Sequence, residues 1–210
     1  MDPQQLSDDE LQRDLFAASH DLITEVPIDP ALARFWELAH ESDRREAERD
    51  ARLAAPGALA NAANWYASQG VPVFPIQSRD KKPYPGSRGF KDATTDPAQV
   101  ARWWRDRPAS NIGTPTGHRF DVIDIDGPPG YQAVADLRDA GELPPVLGKV
   151  YTPSGGRHLY VAPTGDGNAT RFRAGLDYRG AGGYVLMPPS IGTNGKRYDW
   201  LQPFPFGGAA

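Results

Sequence analysis

The chain has 210 residues, of which 39% are hydrophobic and 24% are charged, and these proportions are typical of a globular protein. It contains no cysteine, which excludes disulfides, cysteine-ligated zinc, iron–sulfur clusters and thiol nucleophiles. No apolar run approaches the ~20 residues of a membrane-spanning helix, and the acidic N-terminus lacks the apolar segment of a secretory signal. We therefore expect a cytoplasmic protein.

The formal net charge of −4 is unevenly distributed along the chain. Residues 1–55 contain 14 Asp and Glu against 6 Lys and Arg, whereas residues 56–210 contain 13 against 17. The basic part is compatible with an anionic partner such as a nucleotide or a nucleic acid, and equally with ordinary solvated charge.

Residues 1–56 are predicted to form an acidic helical extension. Ser7 and Glu10 have the spacing of a capping box, which predicts the start of a first helix. Asp29, followed by a proline, predicts the start of a second helix. Pro56 and the glycine after it predict a break and a domain boundary.

From residue 57 onward the pattern changes to short elements separated by turns rich in glycine and proline. Helices are predicted over residues 58–69, from 97 onward and over 129–140. Strands are predicted over residues 71–76, 111–116, 120–126, 149–153, 157–163, 176–180, 183–189 and 197–201. This interleaving predicts an α+β domain over residues 57–202, with residues 203–210 as a tail or the start of a linker.

Two aspartates lie at the end of the predicted strand over residues 120–126. Asp124 and Asp126 project from one face of this strand, so they repel each other unless a cation lies between them. A hard ion that prefers oxygen ligands, Mg²⁺ or Mn²⁺, is the natural choice. Alternatively, the strand ends at Asp124 and Asp126 caps the following turn. Asp121 lies on the opposite face and is not expected to be a ligand.

The turn before the strand over residues 157–163 is the second candidate. Gly155 and Gly156 offer backbone N–H groups that can approach a phosphate closely, and Ser154 adds a hydroxyl donor. Arg157 and His158 project to opposite faces of the next strand, so only one of them can share a given site. The alternative is a plain hairpin with a surface histidine.

The third candidate is the strand over residues 176–180. Asp177 and Arg179 share one face of it, either as a structural ion pair or as a metal ligand and a phosphate clamp. The glycines that follow have no side chains, which leaves room for a pocket that holds a large ligand. A basic loop also precedes residue 93, and its charge fits either a solvated surface or a binding role; its cations are Lys81, Lys82, Arg88 and Lys91.

The order of these motifs resembles the primase–polymerase (prim-pol) domain of the archaeo-eukaryotic primase superfamily. The motifs are D-x-D on a strand, S-G-G-R-H on a hairpin, and an apolar-Asp pair followed by R-G-x-G-G-Y-V and P-P-S. The resemblance covers about residues 57–202 and includes the K-K-P segment from residue 81. It implies an RRM-like catalytic sheet and a second small α/β subdomain, with the active-site cleft between them.

The resemblance implies a template-directed nucleotidyltransferase, a DNA primase and DNA polymerase of a phage or plasmid replication protein in a bacterial host cell. It assigns Asp124, Asp126 and Asp177 as ligands of two divalent metal ions, Mg²⁺ or Mn²⁺, and places His158 on the phosphates of the incoming nucleotide. The other nucleotide-binding candidates are Ser154, Gly155, Gly156, Arg157 and Arg179. The implied partners are a DNA template and primer, dNTP or NTP, and a downstream helicase domain, with no membrane.

Two other classes of protein stay open. A glycosyltransferase would use Asp124 and Asp126 to hold a metal and a nucleotide-sugar, but this leaves the contexts of Asp177 and His158 unexplained. A non-catalytic module that binds single-stranded nucleic acid would keep the carboxylates in a structural role.

Overall fold

The structure is a computed structural model that describes residues 55–206. These residues belong to a compact unit, Leu53–Ala210. The helices predicted for the N-terminal extension lie outside the described residues, and the predicted domain boundaries stay predictions. Among the described residues, no helix is both long enough and apolar enough to cross a bilayer.

Three α-helices, one short 3-10 helix and nine strands make up the described part. The helices are α1 (Ala58–Ser68), α2 (Pro97–Asp106) and α3 (Gly127–Asp139), and the 3-10 helix covers Gly89–Asp92. The strands are β1 (Phe74–Ile76), β2 (Asn111–Pro115), β3 (Asp121–Ile125), β4 (Val146–Tyr151), β5 (Arg157–Val161), β6 (Ala169–Arg173), β7 (Leu176–Arg179), β8 (Tyr184–Leu186) and β9 (Asp199–Gln202).

The strands form two antiparallel sheets. The smaller has the order β1-β2-β8 and the larger has the order β6-β7-β3-β5-β4-β9. The predicted α+β class is therefore confirmed, whereas the RRM-like arrangement and its second subdomain stay predictions. β1 is an edge strand, as the prolines around it predict.

The prediction was wrong about the segment between β5 and β7, where it placed no strand. β6 lies at the edge of the larger sheet and pairs with β7 alone. Ala169, Phe172 and Arg173 of this edge strand are exposed, so the apolar alternation of a half-buried strand is not expected here.

The two faces of the larger sheet are buried in different ways. On one face, Val122, Val150 and Tyr160 join the larger core, which includes residues of the smaller sheet, α1 and α2. On the other face, aliphatic side chains pack against α3. Within the larger core, Trp104 is buried and its indole N–H donates to the Ser110 carbonyl, whereas its neighbour Trp103 is only partly buried against the same core.

Candidate functional site

Three strands bring Asp124, His158 and Asp177 side by side. Asp124 on the central strand β3 lies directly opposite His158 on β5 and directly opposite Asp177 on β7. Residues directly opposed in antiparallel strands project from the same face, so these side chains form a row across the sheet. Motifs that are far apart in the chain therefore meet in space.

Arg179 connects the two carboxylates of this row. Its Nη2 atom lies 2.6 Å from Asp177 Oδ2 and 3.5 Å from Asp124 Oδ2. The side chains of Asp124 and Asp177 are only 14% and 17% exposed, so each carboxylate is poorly screened by water. The guanidinium offsets the repulsion between them.

His158 is buried at the other end of the row. Its Nε2 atom lies 3.5 Å from Asp124 Oδ1, and its ring packs 5.7 Å from the ring of Tyr198. Burial lowers the pKa of His158, with the Asp124 carboxylate acting in the opposite direction. The neutral imidazole is therefore favoured at pH 7. Its Nδ1 atom is buried and finds no hydrogen-bond partner within residues 55–206.

Asp126 lies just beyond β3, at the N-cap position of α3. Its side chain makes no capping hydrogen bond, so the alternative that Asp126 caps the turn is not what the structure shows. Its backbone N–H donates to the Gly175 carbonyl instead. Partial burial and the Asp124 carboxylate raise the pKa of Asp126, and Asp177 adds to this effect. The three carboxylates are therefore electrostatically coupled.

A cavity of about 220 Å³ opens beside this row. The larger sheet contributes Asp124, His158 and Arg179 to its lining, and β8 and the loop after β1 contribute further residues. The other lining residues are Lys81, Asn168, Gly182, Gly183, Tyr184, Val185, Leu186 and Tyr198. Asp126 and Asp177 are not part of this lining.

The hairpin between β4 and β5 lies outside the cavity. The Gly155 N–H donates to the Thr152 carbonyl, and the Gly156 N–H donates to Thr152 Oγ1. Ser154 Oγ also lies 3.0 Å from Thr152 Oγ1. Both glycine amides are thus used within the turn, and phosphate binding by this hairpin stays a prediction.

Gly156 fixes where this hairpin lies. A Cβ atom at this position would lie 2.2 Å from the carbonyl oxygen of Ile125, the last residue of β3. Only a residue without a side chain allows this approach. The hairpin therefore packs against the end of β3, immediately before Asp126.

Arg157 points away from the row of Asp124 and His158. Its guanidinium lies 3.5 Å from the centre of the Tyr151 ring, and its Nη1 donates to the Gly156 carbonyl. The structure therefore places Arg157 on the opposite face of β5, as strand alternation predicts. Its assignment to nucleotide binding stays a prediction.

A family model described as "Bifunctional DNA primase/polymerase, N-terminal" (Prim-Pol) matches residues 63–207, well over half of the chain. The chain belongs to the Prim-Pol family. The resemblance read from the sequence motifs is therefore confirmed, and the match spans the whole row from Asp124 to Asp177. No curated protein matches the chain.

Prim-Pol proteins are metal-dependent in general, which requires side chains that can hold divalent cations. Within residues 55–206, no three acidic or histidine side chains are already arranged to hold an ion. The donor chemistry nevertheless fits, because Asp124, Asp126 and Asp177 are coupled carboxylates and a hard cation relieves their repulsion. In this structure the guanidinium of Arg179 offsets part of the repulsion between Asp124 and Asp177. For a cation to bind these carboxylates, Arg179 would have to release them.

Two cavity residues, Tyr198 and Lys81, were not singled out by any sequence motif. Tyr198 is 2% exposed and lines the cavity, and its hydroxyl forms no hydrogen bond within the described part of the chain. Its sequence context carries no motif. Lys81 is one of several similar cations in one loop, and only the fold shows which of them reaches the cavity.

Proposed function

We propose that this Prim-Pol protein is a template-directed nucleotidyltransferase that joins a nucleotide from dNTP or NTP to the 3′-hydroxyl of a primer. The observation that carries the proposal is the cross-strand row of Asp177, Asp124 and His158 beside a cavity of about 220 Å³. The family supplies the substrate class, DNA and nucleotides.

Asp124, Asp126 and Asp177 are the proposed ligands of two divalent ions, Mg²⁺ or Mn²⁺. When bound, such ions lower the pKa of the attacking hydroxyl and stabilise the leaving pyrophosphate. The chain's own contribution is to hold three carboxylates at the end of one strand and on its neighbour, which fixes the position of the charge before the substrate binds.

His158 and Arg179 are the proposed phosphate ligands within the cavity. A neutral imidazole donates a hydrogen bond without cancelling the charge of the carboxylates beside it. Arg179, once released from Asp177, can donate two parallel hydrogen bonds to a phosphate. We propose no protein nucleophile, because positioning and charge neutralisation account for phosphoryl transfer.

The proposed role of the hairpin is nucleotide binding beside Asp126. Its residues are Ser154, Gly155, Gly156 and Arg157. Its packing against Ile125 supports this, because the turn borders the residue before Asp126. The proposed setting is a phage or plasmid replication protein with a downstream helicase domain, and this setting is supported by the family resemblance alone.

A second candidate is a non-catalytic module that binds single-stranded nucleic acid. The contacts of Arg179 with Asp177 and Asp124 favour this candidate, because they are the contacts expected if these residues form a structural ion pair. Such a module would bind DNA without metal and would incorporate no nucleotide.

Primer extension separates the two candidates. A single-stranded template, with and without primer, is supplied with dNTPs or NTPs under Mg²⁺ and then Mn²⁺. We expect metal-dependent extension by the wild type, and its loss in Asp124→Asn. Asp139→Asn is the matched control, because Asp139 is an exposed residue at the end of α3. Extension by Asp124→Asn at the wild-type rate would rule out the assigned site.

A further inference from the structure

Lys81 is held at the cavity by its backbone. It lies in the loop after β1, and its carbonyl accepts a hydrogen bond of 3.0 Å from the Tyr184 hydroxyl. The carbonyl of the preceding residue, Asp80, accepts one of 3.1 Å from Asn111 Nδ2. Asn111 is fully buried and Tyr184 lies on β8, so the smaller sheet fixes the position of this loop.

The side chain of Lys81 is exposed and lies at the cavity. Within residues 55–206, its ammonium forms no hydrogen bond or ion pair, whereas Arg179 is engaged by two carboxylates. Lys81 lines the cavity together with Arg179 and His158.

Cations therefore approach the cavity from two sides. Arg179 comes from the larger sheet, and Lys81 comes from the loop anchored on the smaller sheet. A cation that lines a polar cavity without an ion-pair partner attracts an anion with several charges. The next residue, Lys82, is also exposed but is not part of the cavity lining.

We propose that Lys81 binds the triphosphate of the incoming nucleotide and, with Arg179, forms a clamp across the cavity. The inference rests on the proposed function and extends it to a residue of the other sheet. The bound triphosphate would then connect the two sheets, with Lys81 acting as a point charge and Arg179 as a planar fork.

The test measures the dissociation constant of dGTP by calorimetry, with Mg²⁺ and without primer or template. Lys81→Gln is compared with Lys82→Gln, which removes the same charge one residue away. We expect Lys81→Gln to weaken dGTP binding about tenfold, or roughly 1.4 kcal/mol, and Lys82→Gln to change it less than about twofold. Lys81→Arg should keep most of the affinity. The difference should shrink at high salt.

The substitutions are on an exposed side chain, so thermal unfolding should be unchanged in all three variants. Wild-type affinity in Lys81→Gln, an equal loss in Lys82→Gln, or a wild type that binds no dGTP would each overturn the clamp. Failure of the proposed function has a different signature: dGTP binding that depends on Lys81 without any primer extension. Normal dGTP binding by Lys81→Gln together with inactive Asp124→Asn would refute the clamp and leave the polymerase.

Discussion

One face of the larger sheet packs into a closed core, whereas the other face borders a cavity. Toward α3, the side chains are aliphatic and close into a core; they are Ile123, Ile125, Leu159, Val161 and Leu176, with Ala133 and Leu137 of the helix. Toward the smaller sheet, Val122 and Tyr160 are buried, but Asp124 and His158 border a cavity. One strand therefore serves stability with one set of alternate residues and chemistry with the other.

Two aspartates of β3 make this contrast sharper. Asp121 is fully buried, and its Oδ2 accepts hydrogen bonds from the Tyr178 hydroxyl at 2.5 Å and the Thr164 N–H at 2.8 Å. Burial, and then the hydrogen bond to Asp121, raise the pKa of Tyr178 to about 12, so it stays protonated and keeps donating. Asp124 instead faces another carboxylate and an arginine. Hydrogen-bond donors on Oδ2 mark Asp121 as a structural carboxylate, although its Oδ1 has no partner within residues 55–206. The like charge opposite Asp124 marks a candidate ligand.

The largest expected effect comes from the cavity side. Asp177→Asn should lower the rate of primer extension about a thousandfold, because a lost metal ligand removes several kcal/mol of charge stabilisation. The fold should persist, since Arg179 keeps its contact with Asp124. Single-turnover extension and thermal unfolding measure the two quantities. If the extension rate falls only in proportion to the amount of folded protein, the assignment of catalysis to the cavity face and stability to the α3 face is contradicted.

The α3 side should show the opposite behaviour. Leu137→Ala removes a side chain that is 6% exposed and should lower the free energy of unfolding by about 2–5 kcal/mol. The extension rate per folded molecule should not change. Denaturant unfolding together with rates normalised to folded protein checks this, and a specific loss of rate would mean that the α3 face also shapes the site.

Asp121→Asn tests the structural carboxylate directly. It keeps the shape but removes the charge that strengthens the hydrogen bonds from Tyr178 and Thr164, at a cost of about 1–2 kcal/mol. Stability should fall while catalysis by the remaining folded protein is retained, the reverse of Asp177→Asn. Chemical denaturation and extension assays on the same sample provide the comparison. Loss of metal-dependent activity at full stability would place Asp121 in the site.

The smallest expected effect concerns Tyr198. Tyr198→Phe removes only a hydroxyl that lines the cavity, and the ring keeps its packing against His158. One lost hydrogen bond to a substrate is worth about 0.5–1.5 kcal/mol, so KM for the nucleotide should rise roughly two- to tenfold with little change in stability. Steady-state kinetics with varied dNTP gives the answer. An unchanged KM would leave Tyr198 as a wall of the cavity only.

Local sequence patterns predicted which face of a strand a side chain points to, but they did not predict which strands pair with each other. Alternation predicts that Asp121 and Asp124 point to opposite faces, and the contacts of the two residues confirm it. Which strand lies beside β3 depends on contacts distant in the chain, so only the family resemblance connected Asp177 and His158 with Asp124. The sequence placed Lys81 in a basic loop but could not distinguish it from Lys82, since its position depends on Tyr184 and Asn111, which come later in the chain.

The close approach of the hairpin to β3 has a consequence for mutational surveys. Any side chain at position 156 would collide with the Ile125 carbonyl and displace the strand end that carries the D-x-D motif. In a saturation screen for replication activity, Gly156 should therefore tolerate as little change as the aspartates themselves. Its intolerance would report crowding of the main chain rather than contact with a nucleotide.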